Sequence, residues 1–340
     1  MLVIKQVLLA LTLGAAPSCA AQEAAPVSEV PLSVVAEIAL PGVEGRIDHL
    51  AVDLERERLY VAALGNDSVE VIDLARGQWL RRIDGLDEPR GILYLTATDR
   101  IVVASGGAGT CVAINAETFE TAASVPVGPD SDNLRFDDRR RRVLVANGSA
   151  LGALDAGTLE VLASTPLGGG HPEGFQLTPD GTRALVNVPH ARQVVVVDLE
   201  RSAVIARWKL EQAGSNFPLA IAPARAGSGG TDLCLVGCRS PARLLVRGLP
   251  DGAALQDLEL SGDVDDLFLD ARRERVYAAC GVGFVDCFQR DGDRLTPGLR
   301  TPTAPGARTC LWVPERDRLY VAAPRRGAQP ARILVLAPTG

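Results

Sequence analysis

The sequence predicts an all-β protein, a seven-bladed β-propeller built from four-stranded meander blades. An apolar run that begins Arg-Leu-Tyr-Val-Ala-Ala at residues 58–63 recurs in related form six times, at intervals of 42, 42, 41, 49, 43 and 43 residues. Each interval holds short β-rich runs separated by turn residues, which is typical of propeller blades. The last interval lacks its fourth run, and an unpaired run stands at residues 32–40.

The first unit extends from Gly45 to about Asp84 and shows how a blade is encoded. A charged turn at residues 54–57 and a Gly-Asn-Asp turn at residues 65–67 separate its apolar runs. Residues of these types tolerate the backbone angles of tight turns. Four strands joined by tight turns form a meander. The predicted strands of this unit are His49–Asp53, Arg58–Leu64, Ser68–Leu74 and Gln78–Ile83.

The remaining units repeat this order, and the last one shows how the ring closes. The seventh unit reaches only its third strand, at residues 332–336, before the chain ends. Residues 32–40 alternate in polarity as a half-buried strand does, so we expect them to form the outer strand of the seventh blade. Such closure leaves no open seam and defines one domain, residues 32–338. The second strands are predicted to begin at Arg58, Arg100, Arg142, Arg183, Asp232, Arg275 and Arg318.

Two stretches carry a family resemblance. Residues 178–187 read Thr-Pro-Asp-Gly-Thr-Arg-Ala-Leu-Val-Asn, and residues 65–74 read Gly-Asn-Asp-Ser-Val-Glu-Val-Ile-Asp-Leu. They resemble the repeat of the bacterial YVTN-type (YncE-like) seven-bladed β-propellers, in which a Pro-Asp-Gly turn precedes Tyr-Val-Thr-Asn and then Asn-x-Val-x-Val-Ile-Asp. Tyr60-Val61 and Tyr320-Val321 match the Tyr-Val pair, although Ala follows it here. The resemblance covers residues 45–338 and implies the fold, but no single function, because members of the family have varied roles.

The N-terminal residues 1–21 are predicted to be a secretory signal peptide. Lys5 precedes an apolar stretch at residues 7–16, and small residues around Cys19 suit cleavage. The stretch is too short to span a membrane. We therefore expect export to the periplasm or the extracellular space, with residues 22–31 as a flexible leader. A lipid anchor on Cys19 is the alternative to free secretion.

Composition and motifs exclude several classes of function. The 340 residues include 35 basic and 42 acidic side chains, for a net charge of −7. A nucleic-acid-binding protein would need a basic face, so no nucleic-acid partner is expected. The densest basic run, residues 139–142, aligns with mixed-charge turns of other units and is interpreted as a solvated turn. Neither Gly-x-Ser-x-Gly nor a phosphate-binding Gly-Lys-Ser/Thr occurs, so no catalytic residue and no cofactor is assigned.

Six cysteines follow the predicted cleavage site, and their spacing does not form a zinc motif. Export permits disulfides, whereas free cysteine is among the most buried residue types. Both interpretations remain open: buried small apolar residues, or the same with one disulfide.

Propellers bind ligands at the mouth of the central channel, where the loops before each first strand converge. Aligning the units places Asp48, Arg90, Asp132, Glu173, Phe217, Asp265 and Arg308 at one position, which is charged in six of seven units. Converging charges shift one another's pKa values, and such sites are often functional; a solvated ring of loops is the alternative. The candidate ligand-binding residues are Asp48, His49, Arg90, Asp132, Asn133, His171, Glu173, Asn216, Asp265, Asp266 and Arg308.

These features favour an exported binding or interaction module that presents the mixed-charge mouth to a small polar ligand, a peptide or a partner protein. The alternative is a metal-dependent hydrolase of the lactonase type, by analogy with propellers that hold a divalent ion in the channel. In that hypothesis His49 or His171 would act as a base. The residue types for the ion would come from Asn133, Glu173, Asn216, Asp265 and Asp266.

Overall fold

In the computed structural model, which describes residues 31–225, 227 and 229–339, seven antiparallel β-sheets form a ring. The predicted signal peptide, Cys19 and almost all of the predicted leader lie outside the described residues. The first strands of neighbouring blades contact one another all the way around, including the last against the first. The predicted all-β, seven-bladed propeller is therefore confirmed.

The first four blades are regular four-stranded meanders in which the chain runs from the channel outward. Blade 1 contains β2 (Leu50–Asp53), β3 (Arg58–Ala63), β4 (Ser68–Asp73) and β5 (Gln78–Asp84). Blade 2 contains β6 (Pro89–Leu95), β7 (Arg100–Ser105), β8 (Thr110–Asn115) and β9 (Thr121–Pro126). Blade 3 contains β10 (Leu134–Asp137), β11 (Arg142–Asn147), β12 (Ala150–Asp155) and β13 (Val161–Pro166). Blade 4 contains β14 (Phe175–Leu177), β15 (Arg183–Val188), β16 (Gln193–Asp198) and β17 (Ala203–Lys209).

The last three blades deviate in detail. Blade 5 contains β18 (Gly214–Ala222), β19 (Leu233–Ser240), β20 (Ala242–Gly248) and β21 (Ala253–Glu259). Blade 6 contains β22 (Val264–Asp270), β23 (Arg275–Cys280), β24 (Phe284–Asp291), β25 (Arg294–Pro297) and β26 (Thr301–Pro302). Both β25 and β26 pair with β24; the outer strand breaks at Pro297, which cannot donate a ladder hydrogen bond. Blade 7 contains β27 (Thr309–Val313), β28 (Arg318–Ala323), β29 (Arg332–Pro338) and β1 (Leu32–Ala39). Three short 3₁₀ turns complete the fold: η1 (Leu64–Asn66), η2 (Pro189–Ala191) and η3 (Pro314–Arg316).

The N-terminal strand closes the ring, as predicted. β1 runs antiparallel to β29, with Leu32 opposite Pro338 and Ile38 opposite Ile333. Leu32 and Ile38 are buried, whereas the middle of the strand faces solvent. A register shift between Val34 and Ala36 interrupts the pairing; irregularities of this kind blunt an exposed edge strand. One strand thus ties the two ends of the domain together.

Apolar side chains fill the spaces between neighbouring blades. At the closing seam, Ile38 and Leu40 pack with Leu59 of blade 1 and with Tyr320 and Ile333 of blade 7 in one buried cluster. Comparable clusters lie between the other pairs of blades. Because each cluster joins two sheets, burial of apolar area holds the ring as well as each blade.

The charged turns at the far end of the first strands are more than solvated loops. Arg140 donates to Asp137 within its turn at 3.3 Å and to the Gly181 carbonyl of blade 4 at 2.8 Å. Its side chain is only 13% exposed. The interpretation of residues 139–142 as a solvated turn is therefore incomplete, because Arg140 clamps two blades. The same role belongs to Arg56, between Asp53 and Asp99, and to Arg273, between Asp270 and Asp317.

All six cysteines of the described chain are buried and free. They fill space as small apolar residues, and burial raises the pKa of the Cys234 and Cys238 thiols to about 12. In the part of the chain that is described, no helix has the length and apolarity needed to cross a membrane.

Candidate functional site

The loops before the first strands converge at one end of the channel around a narrow polar cavity. Its free space is about 20 Å³, which accommodates about one water molecule. Alignment of the repeats therefore identified the end of the fold where most of the candidate residues meet. The cavity is lined by Arg46, Asp48, His49, Asp132, Asn133, Arg135, Glu173, Gly174, Gln176, Phe217, Pro218, Leu219, Asp265, Asp266, Leu267 and Phe268.

His49 lies among three carboxylates from three blades. Its Nδ1 is 3.5 Å from Asp266 Oδ1, and its Nε2 is 3.7 Å from Asp48 Oδ1 and 3.8 Å from Asp132 Oδ1. Burial disfavours the imidazolium, but the carboxylates outweigh this and raise the pKa of His49 to about 10. His49 is therefore a half-buried cation near neutral pH, which makes it unsuitable as a general base.

Asp132 lies on the opposite side of the imidazole and is buried. It accepts a hydrogen bond from Asn133 Nδ2 at 3.2 Å, and Arg90 Nη1 is 3.6 Å from its Oδ2. Burial and the charge of Asp48 raise the pKa of Asp132 to about 6, although His49, Arg90 and Arg46 oppose the shift. Its protonation state therefore changes within the physiological range.

Two other carboxylates are neutralised by arginine. Asp48 is paired with Arg46, whose Nη2 is 2.9 Å from its Oδ2. Asp265 lies between Arg239 Nη2 at 2.5 Å and Arg308 Nε at 3.2 Å. Burial raises the pKa of Asp265, with the two arginines opposing the shift. These pairs leave little uncompensated charge at this side of the mouth.

Glu173 is different, because its carboxyl group has no hydrogen-bond or ion-pair partner among the residues that the structure describes. It lines the cavity beside Asp132 and Asp265. Burial, followed by the charges of Asp132, Asp265 and Asp48, raises the pKa of Glu173 well above its usual range. An unpaired carboxyl group in such a place is either protonated or able to bind a cation.

At the outer rim, Asp130 connects a histidine to the cavity. One carboxylate oxygen of Asp130 contacts Arg90 Nη1 and the other contacts His171 Nδ1. His171 itself is half exposed and does not line the cavity. Arg90 and Arg308 likewise reach the site through their carboxylate partners rather than by lining it.

Asn216 lies away from the other candidate residues. It is fully buried in β18, where its Nδ2 donates to Asn187 Oδ1 at 2.9 Å and to the Gln193 carbonyl at 3.0 Å. Both partners belong to blade 4, so Asn216 joins blades 4 and 5. Its amide nitrogen is thus committed to the fold, whereas its Oδ1 is buried without a hydrogen-bond partner among the described residues.

Four polar residues of this region were not predicted from the sequence: Arg46, Arg135, Gln176 and Arg239. Side chains alternate along a strand, so the position two residues after Asn133 and Gly174 faces the channel as well. Arg135 and Gln176 occupy this position, with Arg135 Nε donating to Gln176 Oε1 at 3.2 Å. The alternation of side chains along a strand therefore predicts that Arg135 and Gln176 face the channel. Arg239 is the second-last residue of β19, a position for which the repeat gave no signal.

Gly91 explains why blade 2 contributes no side chain at the position of His49. A Cβ atom at residue 91 would lie 2.1 Å from the Asp132 carbonyl oxygen of the neighbouring blade. The absence of a side chain lets the Asp132 backbone approach, and this approach sets where the Asp132 carboxylate lies.

We expect Gly91→Ala to lower the free energy of unfolding by about 1–3 kcal/mol, the usual cost of overpacking. Urea titration followed by circular dichroism measures it. Gly170→Ala is the matched control, because a Cβ atom there meets open space. Equal stability of the two variants would show that the contact at Gly91 relaxes without cost.

The oxygen and nitrogen donors that the structure describes around the cavity do not form a metal site of three or more ligands. Across the described ranges of the chain, no group of three or more His, Cys, Asp or Glu side chains is arranged to hold a metal ion. Of the residues considered for a lactonase-type ion, Asp265 is committed to two arginines, and Asn216 is not among the residues that line the cavity.

Fold and site together define a seven-bladed β-propeller with a buried polar cluster at the channel mouth. A family model described as a YncE-like beta-propeller matches residues 33–216, more than half of the chain, and the protein belongs to that family. The resemblance seen in the sequence is thus confirmed.

Comparison with curated proteins gives no match. Among solved structures, a chain of Kuenenia stuttgartiensis hydrazine synthase is similar, with a TM-score of 0.71 and 13% identity, over 83% of this chain and 95% of that chain. A chain of a mitotic checkpoint complex has a TM-score of 0.74 and 14% identity, over 98% of this chain and 99% of that chain. At these identities the similarity shows the fold alone.

Proposed function

We propose that the protein is an exported binding module that receives a cationic group at the channel mouth. The group is the ammonium or guanidinium of a small polar ligand, a peptide or a partner protein. Export is inferred from the predicted signal peptide at residues 1–21, and the periplasm or the extracellular space follows from it. The proposal depends on one observation, the unpaired carboxyl group of Glu173 in a cavity whose other carboxylates have partners.

The charges around the cavity support a cation as the missing partner. Asp48 and Asp265 are neutralised by arginines, and the His49 imidazolium is the positive charge next to Asp132 and Asp266. Glu173 is left beside these carboxylates without a cation of its own. An approaching cation favours its ionised form, because opposite charge at close range lowers a raised carboxyl pKa. Binding should therefore release a proton and strengthen as the pH rises.

The size of the cavity limits what enters. Free space of about 20 Å³ admits a single functional group, so the rest of the ligand must lie across the mouth. A lysine or arginine side chain that projects from a peptide or a protein surface has this shape. A ligand enclosed on all sides, as in most small-molecule pockets of 300–1,000 Å³, does not fit.

The hydrolase alternative has less support from the geometry. His49 is held in its cationic form by three carboxylates, His171 Nδ1 donates to the Asp130 carboxylate at the rim, and the Asn216 amide nitrogen donates to blade 4. No observation places a general base beside Glu173. The binding function requires only the unpaired Glu173 carboxyl group and the cavity that it lines.

The test compares Glu173→Gln with a matched control, Glu55→Gln. Glu55 is exposed in a turn of blade 1, at the end of the propeller opposite to the channel mouth. Lysine- and arginine-containing peptides should raise the melting temperature of the unmodified protein and of Glu55→Gln in a saturable manner. Glu173→Gln should lose that increase, since the amide carries no charge, while remaining folded. Thermal shift and isothermal titration measure the effect.

Two results would contradict the proposal. Peptides in which the lysine ammonium is acetylated should give no shift, so an equal shift with them would show that charge is irrelevant. Retained binding by Glu173→Gln would show that the cation binds elsewhere.

A further inference from the structure

We propose that His171 and His190 form a binding site for a late first-row divalent metal ion at the rim of the channel mouth. The two imidazole rings lie with their centroids 4.8 Å apart and their planes at 58°. They come from two separate segments, the loop before β14 and the 3₁₀ turn η2. The chain has three histidines, and the two that are exposed are those that meet here.

Each imidazole is oriented through its Nδ1 atom. His171 Nδ1 contacts the carboxylate of Asp130, and His190 Nδ1 is 3.4 Å from the carbonyl oxygen of Gly170. Both oxygens are acceptors, so the proton of the neutral ring belongs on Nδ1 in each case and the lone pair on Nε2. A carboxylate or carbonyl behind Nδ1 is the usual support of a metal-ligating histidine. Two such rings side by side present two nitrogen donors.

The backbone is built to bring the two rings together. A Cβ atom at Gly169 would lie 2.9 Å from Val188 Cγ1 and 3.4 Å from Ala191 Cβ, so only glycine lets this loop lie against η2. His171 adopts a left-handed φ of 54°, and its N–H donates to the Gly148 carbonyl at 2.6 Å. A residue other than glycine in that conformation is uncommon and aims the side chain toward η2.

Asp130 acts as a support rather than as a ligand. Burial opposes its ionisation, but His171 and Arg90 outweigh this and hold the pKa of Asp130 below its ordinary value. Its two oxygens are already used, one by Arg90 and one by His171. The inferred site therefore has two imidazole ligands, and solvent fills the remaining positions. Imidazole nitrogen suits Zn²⁺, Ni²⁺ and Cu²⁺, with Cu²⁺ bound most tightly.

This site is distinct from the cation site proposed at Glu173. It uses neither Glu173 nor His49, and its ligands are neutral imidazoles rather than carboxylates. The failure of one proposal therefore leaves the other standing.

The experiment uses untagged full-length mature protein, with Zn²⁺ in isothermal titration and Cu²⁺ in electron paramagnetic resonance. We expect one saturable site, with coupling to two nitrogen ligands in the Cu²⁺ spectrum. His171→Gln and His190→Gln should each abolish the two-nitrogen signal. Asp130→Asn should weaken Zn²⁺ binding by about 10–100-fold, the usual effect of losing an outer-shell partner. Circular dichroism confirms that each variant is folded.

Glu173→Gln is the control and should bind both ions as the unmodified protein does. The proposal is overturned if neither ion binds saturably, or if His190→Gln binds as tightly as the unmodified protein, which would indicate a single surface histidine. It is also overturned if Glu173→Gln loses the ion, because the channel carboxylates would then be the ligands.

Discussion

Removal of residues 22–39 is expected to lower the free energy of unfolding by about 5 kcal/mol or more and to cause self-association. The deletion takes away β1 and with it the buried side chains of Leu32 and Ile38. Each buried leucine or isoleucine contributes about 2–5 kcal/mol relative to alanine. The deletion also exposes the edge of β29, whose residues 333–336 are apolar and buried. An exposed apolar strand edge promotes pairing with another molecule.

Thermal unfolding and size-exclusion chromatography measure the two effects. The expected decrease in melting temperature is roughly 10 °C or more, from about 2–4 °C per kcal/mol for a domain of this order of size. Removal of residues 22–30 alone is the control and should change neither quantity. A truncated protein that melts like the control and stays monodisperse would mean that β29 needs no partner strand.

The ring was predictable because the repeat is local in sequence. A polar turn followed by an apolar run marks the second strand of each blade, and six of the seven predicted starts, such as Arg58 and Arg318, are the first residues of their strands. The exception is blade 5, where β19 begins at Leu233, one residue after the predicted Asp232. Closure was predictable for a similar reason, since one strand lacked a blade and one blade lacked a strand.

The convergence of most candidate residues was predictable from the sequence, but their burial and pairing were not. Alignment brought Asp48, Asp132, Glu173 and Asp265 to one place, because equivalent loops of a propeller converge. It did not predict that Asp48 and Asp132 are buried or that Glu173 and Asp265 are half-buried. A charged position in a repeat has the same pattern whether it faces solvent or a neighbouring blade, and the difference depends on backbone approach, as at Gly91.

The sequence also did not predict which charged side chains form pairs. Arg239, at the end of β19 in blade 5, reaches Asp265 of blade 6, and Asn216 of blade 5 donates to Asn187 of blade 4. Neither contact follows from the repeat, because each depends on which side chain the neighbouring blade places opposite. The unpaired Glu173 is visible only when all the other pairs are known.

The buried cluster should make stability depend on pH. The pKa of His49 rises from 6.5 to about 10 in the folded protein. Its folded pKa is the higher one, so its stabilising contribution is fully present below about pH 6.5 and is lost as the pH rises through about 10. Asp132 affects stability at lower pH. Because its pKa is raised from 3.8 to about 6 in the folded protein, the free energy of unfolding decreases as the pH rises from about 3.8 to about 6.

His49→Gln is therefore expected to be less stable than the unmodified protein by about 3–5 kcal/mol at pH 6, because three carboxylates lose their cation. Near pH 10 the difference should nearly vanish, because the stabilisation by the His49 charge is lost progressively as the pH rises from 6.5 to the folded pKa of about 10. Urea unfolding at several pH values measures this, and effects of the buried cysteines cancel between the two proteins. His190→Gln, at an exposed histidine, should show no such trend. A deficit for His49→Gln that is the same at pH 6 and pH 10 would mean that His49 stabilises the channel by packing rather than by charge.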